Sequence, residues 1–269
     1  MILYRSIGTC LYCNETLGQK ELKTHLNKHI AVLDEDKNTN DKLSFLVKVT
    51  GEYKDDPHFL YLLVDGDTEF DLLDSFLREI WLECCGHMSS FSLNKKDISQ
   101  FNFDKYLDLD SNANEEDEDG DDDYFGSYDL FPGEIPFNVP VKDVLTKGRK
   151  LSYTYDYGST TSLNIITEYV YKAERKEFIE LLSRNKDFNY RCDVCKETAF
   201  LICTFHSYSD QGLFCMKCAK KHKKTCSDFS DFEMPIVNSP RMGVCAYSGG
   251  SIDTKGDGPW QGKYEMEEE

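Results

Sequence analysis

The chain has 269 residues, with 31 Lys+Arg against 49 Asp+Glu, 11 Cys and a formal net charge of -18. Its 40% hydrophobic and 13% aromatic content is ample for one packed domain plus small modules, which excludes wholesale disorder. The longest apolar runs, 59–64 and 200–203, fall far short of the roughly 18 residues a membrane-spanning helix needs, and no charged-then-apolar leader opens the chain. A cytoplasmic protein with no membrane partner is therefore expected. In such a reducing compartment, cysteines in Cys-x2-Cys pairs point to metal ligands before disulfides.

In chain order, residues 1–33 hold Cys10, Cys13, His25 and His29 at spacings of two, eleven and three residues. Zinc asks for four soft or borderline ligands in a tetrahedron. A Cys-x2-Cys turn supplies two, and His at i and i+4 project from one helix face to supply the others, with Leu17 and Leu22 as a small core. Residues 8–29 resemble the two-Cys-two-His zinc-finger family. That resemblance puts the base-reading positions on Gly18, Glu21 and Thr24, with Lys20 and Lys23 between them. None offers the bidentate Arg or Asn that strong base readout favours, so a structural or protein-contact role is expected over DNA reading.

Residues 34–42, DEDKNTNDK, form a polar linker. Residues 43–187 are expected to be a central domain. FLVKVT (45–50) and FLYLLV (59–64) are apolar runs separated by a turn-rich stretch and read as paired strands. Thr68-x-x-Asp71 suggests a helix cap ahead of Phe70, Leu73, Phe76, Leu77, Ile80 and Trp81, giving a helix of about 15 residues that Gly86 would stop. Between Asp104 and Glu134 stand 13 acidic residues against one Lys, a local charge of -12, which reads as a solvated loop. Asp108, Asp110, Asn112, Asn114 and Asp119 echo a calcium loop, but the turn glycine is Ala113 and the bidentate Glu is Asp119, so only weak cation binding is expected. A second hairpin follows, with Leu151, Tyr153, Tyr155 and Tyr157 alternating before Gly158 and the run 161–171 after it. A last helix is expected over 173–184. Strands before and after a helix on one sheet give an α+β class, with a mixed or antiparallel sheet flanked by zinc-stabilised modules.

Residues 188–250 carry the strongest signal: Cys192, Cys195, Cys203, His206, Cys215, Cys218, His222 and Cys226, four pairs of ligand types in 35 residues. Cross-braced as in the B-box-like modules it resembles, Cys192, Cys195, Cys215 and Cys218 bind one zinc, and Cys203, His206, His222 and Cys226 a second. Alternatively Cys203 is a core residue of the strand AFLIC and the module holds one ion. Two to three structural zinc ions are thus expected in the chain, with no open coordination position. Cys84 and Cys85, at a helix end, read as buried unreactive thiols. A Cys85–His87 nucleophilic pair is set aside, because side chains two residues apart rarely meet productively. Residues 251–269 are an acidic tail.

From Arg191 to Cys226 the charge is locally basic, with Lys220, Lys221, Lys223 and Lys224 clustered; the patch fits phosphate contact, docking of the chain's own acidic loop, or a solvated helix face, and any nucleic-acid contact would be confined to the zinc region.

The central strings WLECCGHMSSF (81–91), LSYTYDYGSTTSLNI (151–165) and PIVNSPRMGVCAYSGG (235–250) resemble the plasmid pRiA4b ORF-3-like family, the transposon-passenger lineage, in its zinc-bearing branch. The resemblance spans about 43–250 and departs from many relatives at Thr160, Thr161 and Ser162 and in the added N-terminal finger. It implies an α+β domain with no established reaction. The expected function is a non-enzymatic zinc-binding adaptor for a protein or nucleic-acid partner, with no catalytic residues. The alternatives are a nucleic-acid-binding regulator and an enzyme; the enzyme would need Asp156, His87 and Arg241 to converge.

Overall fold

A computed structural model describes residues 6–32, 42–107, 133–207 and 212–258. The N-terminal finger consists of β1 (Ile7–Thr9), β2 (Thr16–Gly18) and α1 (Gln19–Ala31). The central domain follows with β3 (Ser44–Gly51), β4 (Phe59–Asp65), α2 (Phe70–Leu77), a π-helical turn at Arg78–Leu82, and β5 (Ser89–Leu93). It continues through α3 (Asp104–Leu107), β6 (Glu134–Ile135), α4 (Val141–Val144), β7 (Lys150–Tyr155), β8 (Thr161–Tyr171) and β9 (Ile179–Arg184). The C-terminal module contains β10 (Leu201–Cys203), β11 (Leu213–Phe214), α5 (Met216–His222), α6 (Phe229–Phe232) and β12 (Glu233–Pro235).

The fold is α+β. Seven strands make one antiparallel sheet in the order β6-β5-β7-β8-β3-β4-β9. Both expected hairpins are present: Val47 stands opposite Leu62, and Tyr153 opposite Leu163. β3 and β4 are buried almost end to end, as continuous apolar runs require when both faces of a sheet are covered. Phe45, Val47, Val49, Leu60, Leu62 and Val64 point to the α2 side, where Phe70, Leu73, Leu77 and Trp81 close the main core. Their alternates Leu46, Phe59, Tyr61 and Leu63 face the finger and pack with Leu22, Leu26 and Ile30 of α1. The finger is therefore a layer of the central domain. Gly8 marks the closest approach: a Cβ there would lie 2.7 Å from the Arg184 carbonyl oxygen, at the point where Gly8 bridges to Asn185.

Two local expectations fail, the helix over 173–184 and the Thr68 cap, and the long helix is met in altered form as a continuous helical run over 70–82. The segment expected to be a helix over 173–184 contains β9, which pairs with β4 from Leu60↔Arg184 to Val64↔Ile179. Its adjacent apolar residues serve two faces: Leu181 joins the α2 core and Leu182 the finger core. An unpaired β4 edge was the stronger demand on those residues than local helix propensity. The long helix after Thr68 is an α-helix only to Leu77 and then widens into the π-turn. Thr68 does not cap it. Glu69 is the N-cap, and the Thr68 hydroxyl donates instead to the Phe178 carbonyl at 2.9 Å. Gly86 lies beyond the helix end. The linker apart from residue 42, most of the acidic loop with its calcium-like residues Asp108 to Asp119, and the tail from 259 fall outside the described residues. Among the described residues, no helix is long and apolar enough to cross a membrane.

Candidate metal centres

The three expected ligand sets are each gathered in space. In Cys10, Cys13, His25 and His29, in Cys192, Cys195, Cys215 and Cys218, and in Cys203, His206, His222 and Cys226, the ligand atoms lie within 4.8 Å of one another. Each set could hold a metal ion, and the Cys/His chemistry is that of zinc.

Two of the sets are built on the same turn. Cys10-x2-Cys13 and Cys192-x2-Cys195 are each followed by a residue with left-handed backbone, Asn14 and Lys196, both at φ 63°. In the first, the Asn14 amide donates to the Cys10 carbonyl at 2.8 Å and the Cys10 amide to Glu15 at 2.9 Å. In the second, Lys196 donates to Cys192 at 2.9 Å and Cys192 to Glu197 at 2.8 Å. The repeated geometry folds two thiols toward one point. Helices complete the sets: α1 presents His25 and His29, whose Nε2 atoms are 3.1 Å apart, with Cys13 Sγ 3.2 Å from His25. Cys215 and Cys218 come from the start of α5, placing Cys215 Sγ 3.5 Å from Cys195 Sγ.

The remaining set uses Cys203 at the end of β10 and His222 at the end of α5. His206 Nδ1 lies 3.4 Å from Cys203 Sγ and 3.8 Å from Cys226 Sγ. Cys203 is thus both a buried core residue and a member of a ligand set. The His222 ring stacks on Phe214 at 4.3 Å, and its buried Nε2 has no hydrogen-bond partner, an orphan that coordination to an ion at this set would resolve. This module packs around its own apolar cluster, with Ala199, Leu201, Phe214, Phe229 and Ile236 among the buried residues.

The thiols titrate unequally where they crowd. At Cys192, burial is outweighed by the backbone amides of Cys195, Cys215 and Val194, and its pKa falls to about 7. Burial and the neighbouring thiols push Cys218 up to about 12. A divalent cation relieves that opposition, because it lets every thiol ionise.

One further set escaped the sequence reading. Cys84, Cys85, His87 and Cys245 bring their ligand atoms within 4.8 Å of one another. Cys85 is exposed and Cys84 half-buried, which corrects the reading of both as buried core thiols. Cys85 and His87 do meet, at 3.1 Å. Asp156, His87 and Arg241 also converge: Asp156 Oδ2 accepts from Arg241 Nη2 at 2.7 Å and lies 3.5 Å from His87 Nε2. Arg241 and the Gly158 and Ser159 amides hold the Asp156 carboxyl at a pKa of about 2. The YDYG and NSPRMGVCAY strings, far apart in sequence, thus touch through one ion pair. The signal that could have exposed this set is the three cysteines left over once the paired ones are assigned, with a histidine and a glycine beside two of them.

Of the base-reading positions of the finger, Glu21 and Thr24 are exposed and Gly18 is half-buried. Lys23 pairs with Glu168 on β8, Glu21 accepts the Gly18 amide at 3.0 Å, and Tyr61 donates to the Gln19 carbonyl at 2.9 Å. Lys220, Lys221, Lys223 and Lys224 are exposed as well.

No family model matches the chain, and no curated protein matches it. Among solved structures, it is similar to the protein of unknown function MM3350 from Methanosarcina mazei Go1, at 13% identity and a TM-score of 0.33, over 53% of this chain and 67% of that one.

Proposed function

We propose that this chain is a zinc-binding, non-enzymatic adaptor of the pRiA4b ORF-3-like lineage, which engages a protein or nucleic-acid partner through its C-terminal zinc module. The observation that carries the reading is the closure of the three terminal ligand sets. Each supplies four protein ligands, which leaves a tetrahedral ion no open position for substrate or water. Such ions act by folding the segments that hold them. We assign the partner surface to the C-terminal module because its clustered lysines are exposed; the apolar face of the finger helix is covered by the sheet. Elemental analysis of the purified chain tests the metal, and a pull-down on zinc-loaded protein with and without nuclease treatment tests the partner class. A chain that retains no zinc sinks the reading.

A second reading, an enzyme, is favoured by the convergence of Asp156, His87 and Arg241 beside three thiols. It expects hydrolytic turnover by the zinc-loaded chain that Asp156→Asn abolishes. Arg241 and Asp156 are both buried, and Arg241 also donates to the Ser159 carbonyl and the Thr161 hydroxyl, each at 3.0 Å. Those bonds fit a structural role equally well.

A further inference from the structure

We infer that Cys84, Cys85, His87 and Cys245 form a fourth zinc site, which staples the C-terminal segment to the central domain. An ion about 2.3 Å from sulfur and about 2.0 Å from nitrogen holds tetrahedral ligands about 3.5–3.8 Å apart. Here Cys85 Sγ lies 3.5 Å from Cys84 Sγ, 3.4 Å from Cys245 Sγ and 3.1 Å from His87 Nε2, and Cys245 Sγ lies 3.5 Å from His87 Nε2. These spacings match those of the sets read from the sequence. Three thiolates and one imidazole are a soft donor set that selects zinc over magnesium or calcium.

Hydrogen bonds of the surrounding scaffold position these groups. After the π-turn, Glu83 accepts the Gly86 amide at 2.6 Å and the Tyr155 hydroxyl at 3.1 Å, while Arg78 binds Glu83 at 2.9 Å and also the His87 carbonyl. Gly86, at φ 73°, makes the turn that folds His87 back over Cys85. Cys245 arrives 160 residues after Cys85, on a segment pinned by the Ser239 hydroxyl to the Trp81 carbonyl at 2.7 Å.

The converging ion pair has a role in this arrangement. Three thiolates around a divalent cation carry a net negative charge, and the buried Arg241 donates to Cys84 Sγ at 3.4 Å while bonding Asp156. A guanidinium held there by Asp156 donates to the Cys84 thiolate and fixes its orientation, as outer-shell partners of metal ligands do. Arg241 is thus a positioning residue for the metal.

The site rests on the reading that the chain is zinc-loaded, and the ion count separates the two claims. Native mass spectrometry of the full chain, purified with zinc under reducing conditions, is expected to give four ions, and Cys245→Ser and His87→Ala three. Three ions in the unaltered chain and no loss in either variant overturn the fourth site alone; a zinc-free chain overturns both readings. Should the variants fail to fold, alkylation of the unaltered chain decides. Cys85, though exposed, is expected to resist N-ethylmaleimide until a chelator is added. Rapid modification of Cys85 with the ion count unchanged overturns the site, as does recovery of Cys85 joined to Cys245 in a disulfide.

Discussion

The finger and the C-terminal module share one device, the Cys-x2-Cys turn closed by a left-handed residue, and use their apolar surfaces in opposite ways. The finger turns Leu22, Leu26 and Ile30 onto the sheet, so that its core and the sheet's second face are one cluster. The C-terminal module turns Leu201, Phe214 and Phe229 inward and closes on itself. The same Cys-x2-Cys turn therefore fixes local chain direction and leaves the partner of the apolar face open. In the finger that partner is intramolecular, the sheet face that covers Leu22, Leu26 and Ile30. In the C-terminal module the basic face of α5 stays exposed.

The largest expected effect separates the two regions. Structural zinc contributes on the order of 10 kcal/mol to folding of such segments. Chelation is expected to melt residues 192–236 as a unit, seen as rapid amide hydrogen exchange there, and in addition to loosen β4 and β9, which lose their finger cover. Cys192→Ser should unfold the C-terminal module and spare the sheet, whereas Cys10→Ser should raise exchange in β3 and β4. Equal effects of the two substitutions on the sheet would break the comparison.

The segment after the module provides the next test. Arg184 on β9 donates to Asp257 at 2.5 Å, and both are buried. Removing one partner of a buried pair costs about 3–5 kcal/mol. Asp257→Asn is therefore expected to lower the denaturant midpoint sharply with little change in metal content. Leu26→Ala should cost about 2–5 kcal/mol, because it opens a cavity between α1 and the sheet, and the loss should register in the central domain's unfolding. The smallest effect on stability belongs to the exposed lysines. Replacing Lys220, Lys221, Lys223 and Lys224 by Gln should change stability by about 0.5 kcal/mol or less per site, while weakening capture of an anionic partner at low salt. Unchanged capture would move the interface elsewhere.

Much of this was legible in the sequence because it is written in local patterns. The runs at 45–50 and 59–64 gave strands now bounded by Ser44–Gly51 and Phe59–Asp65, and the alternating tyrosines of 151–157 gave β7. Paired spacings announced the three terminal ligand sets because each pair sits within one turn or one helix. What failed was written between distant segments. The apolar doublet Leu181-Leu182 fits a helix face as well as a strand buried on both sides, and only the free edge of β4 chooses between them. The fourth ligand set has no spacing to read: Cys245 reaches Cys85 through the tertiary path set by Ser239 and Arg241. FLYLLV did carry a hint, since a run buried at every position needs cover on two faces, yet nothing local says that the cover is the finger.

The central claim is that Cys/His sets bind zinc and organise this chain, and the metal content of the intact protein tests it most directly. Native mass spectrometry under non-denaturing conditions, with elemental analysis of the same sample, is expected to return zinc at four ions per chain. A folded chain that retains no zinc would contradict the account.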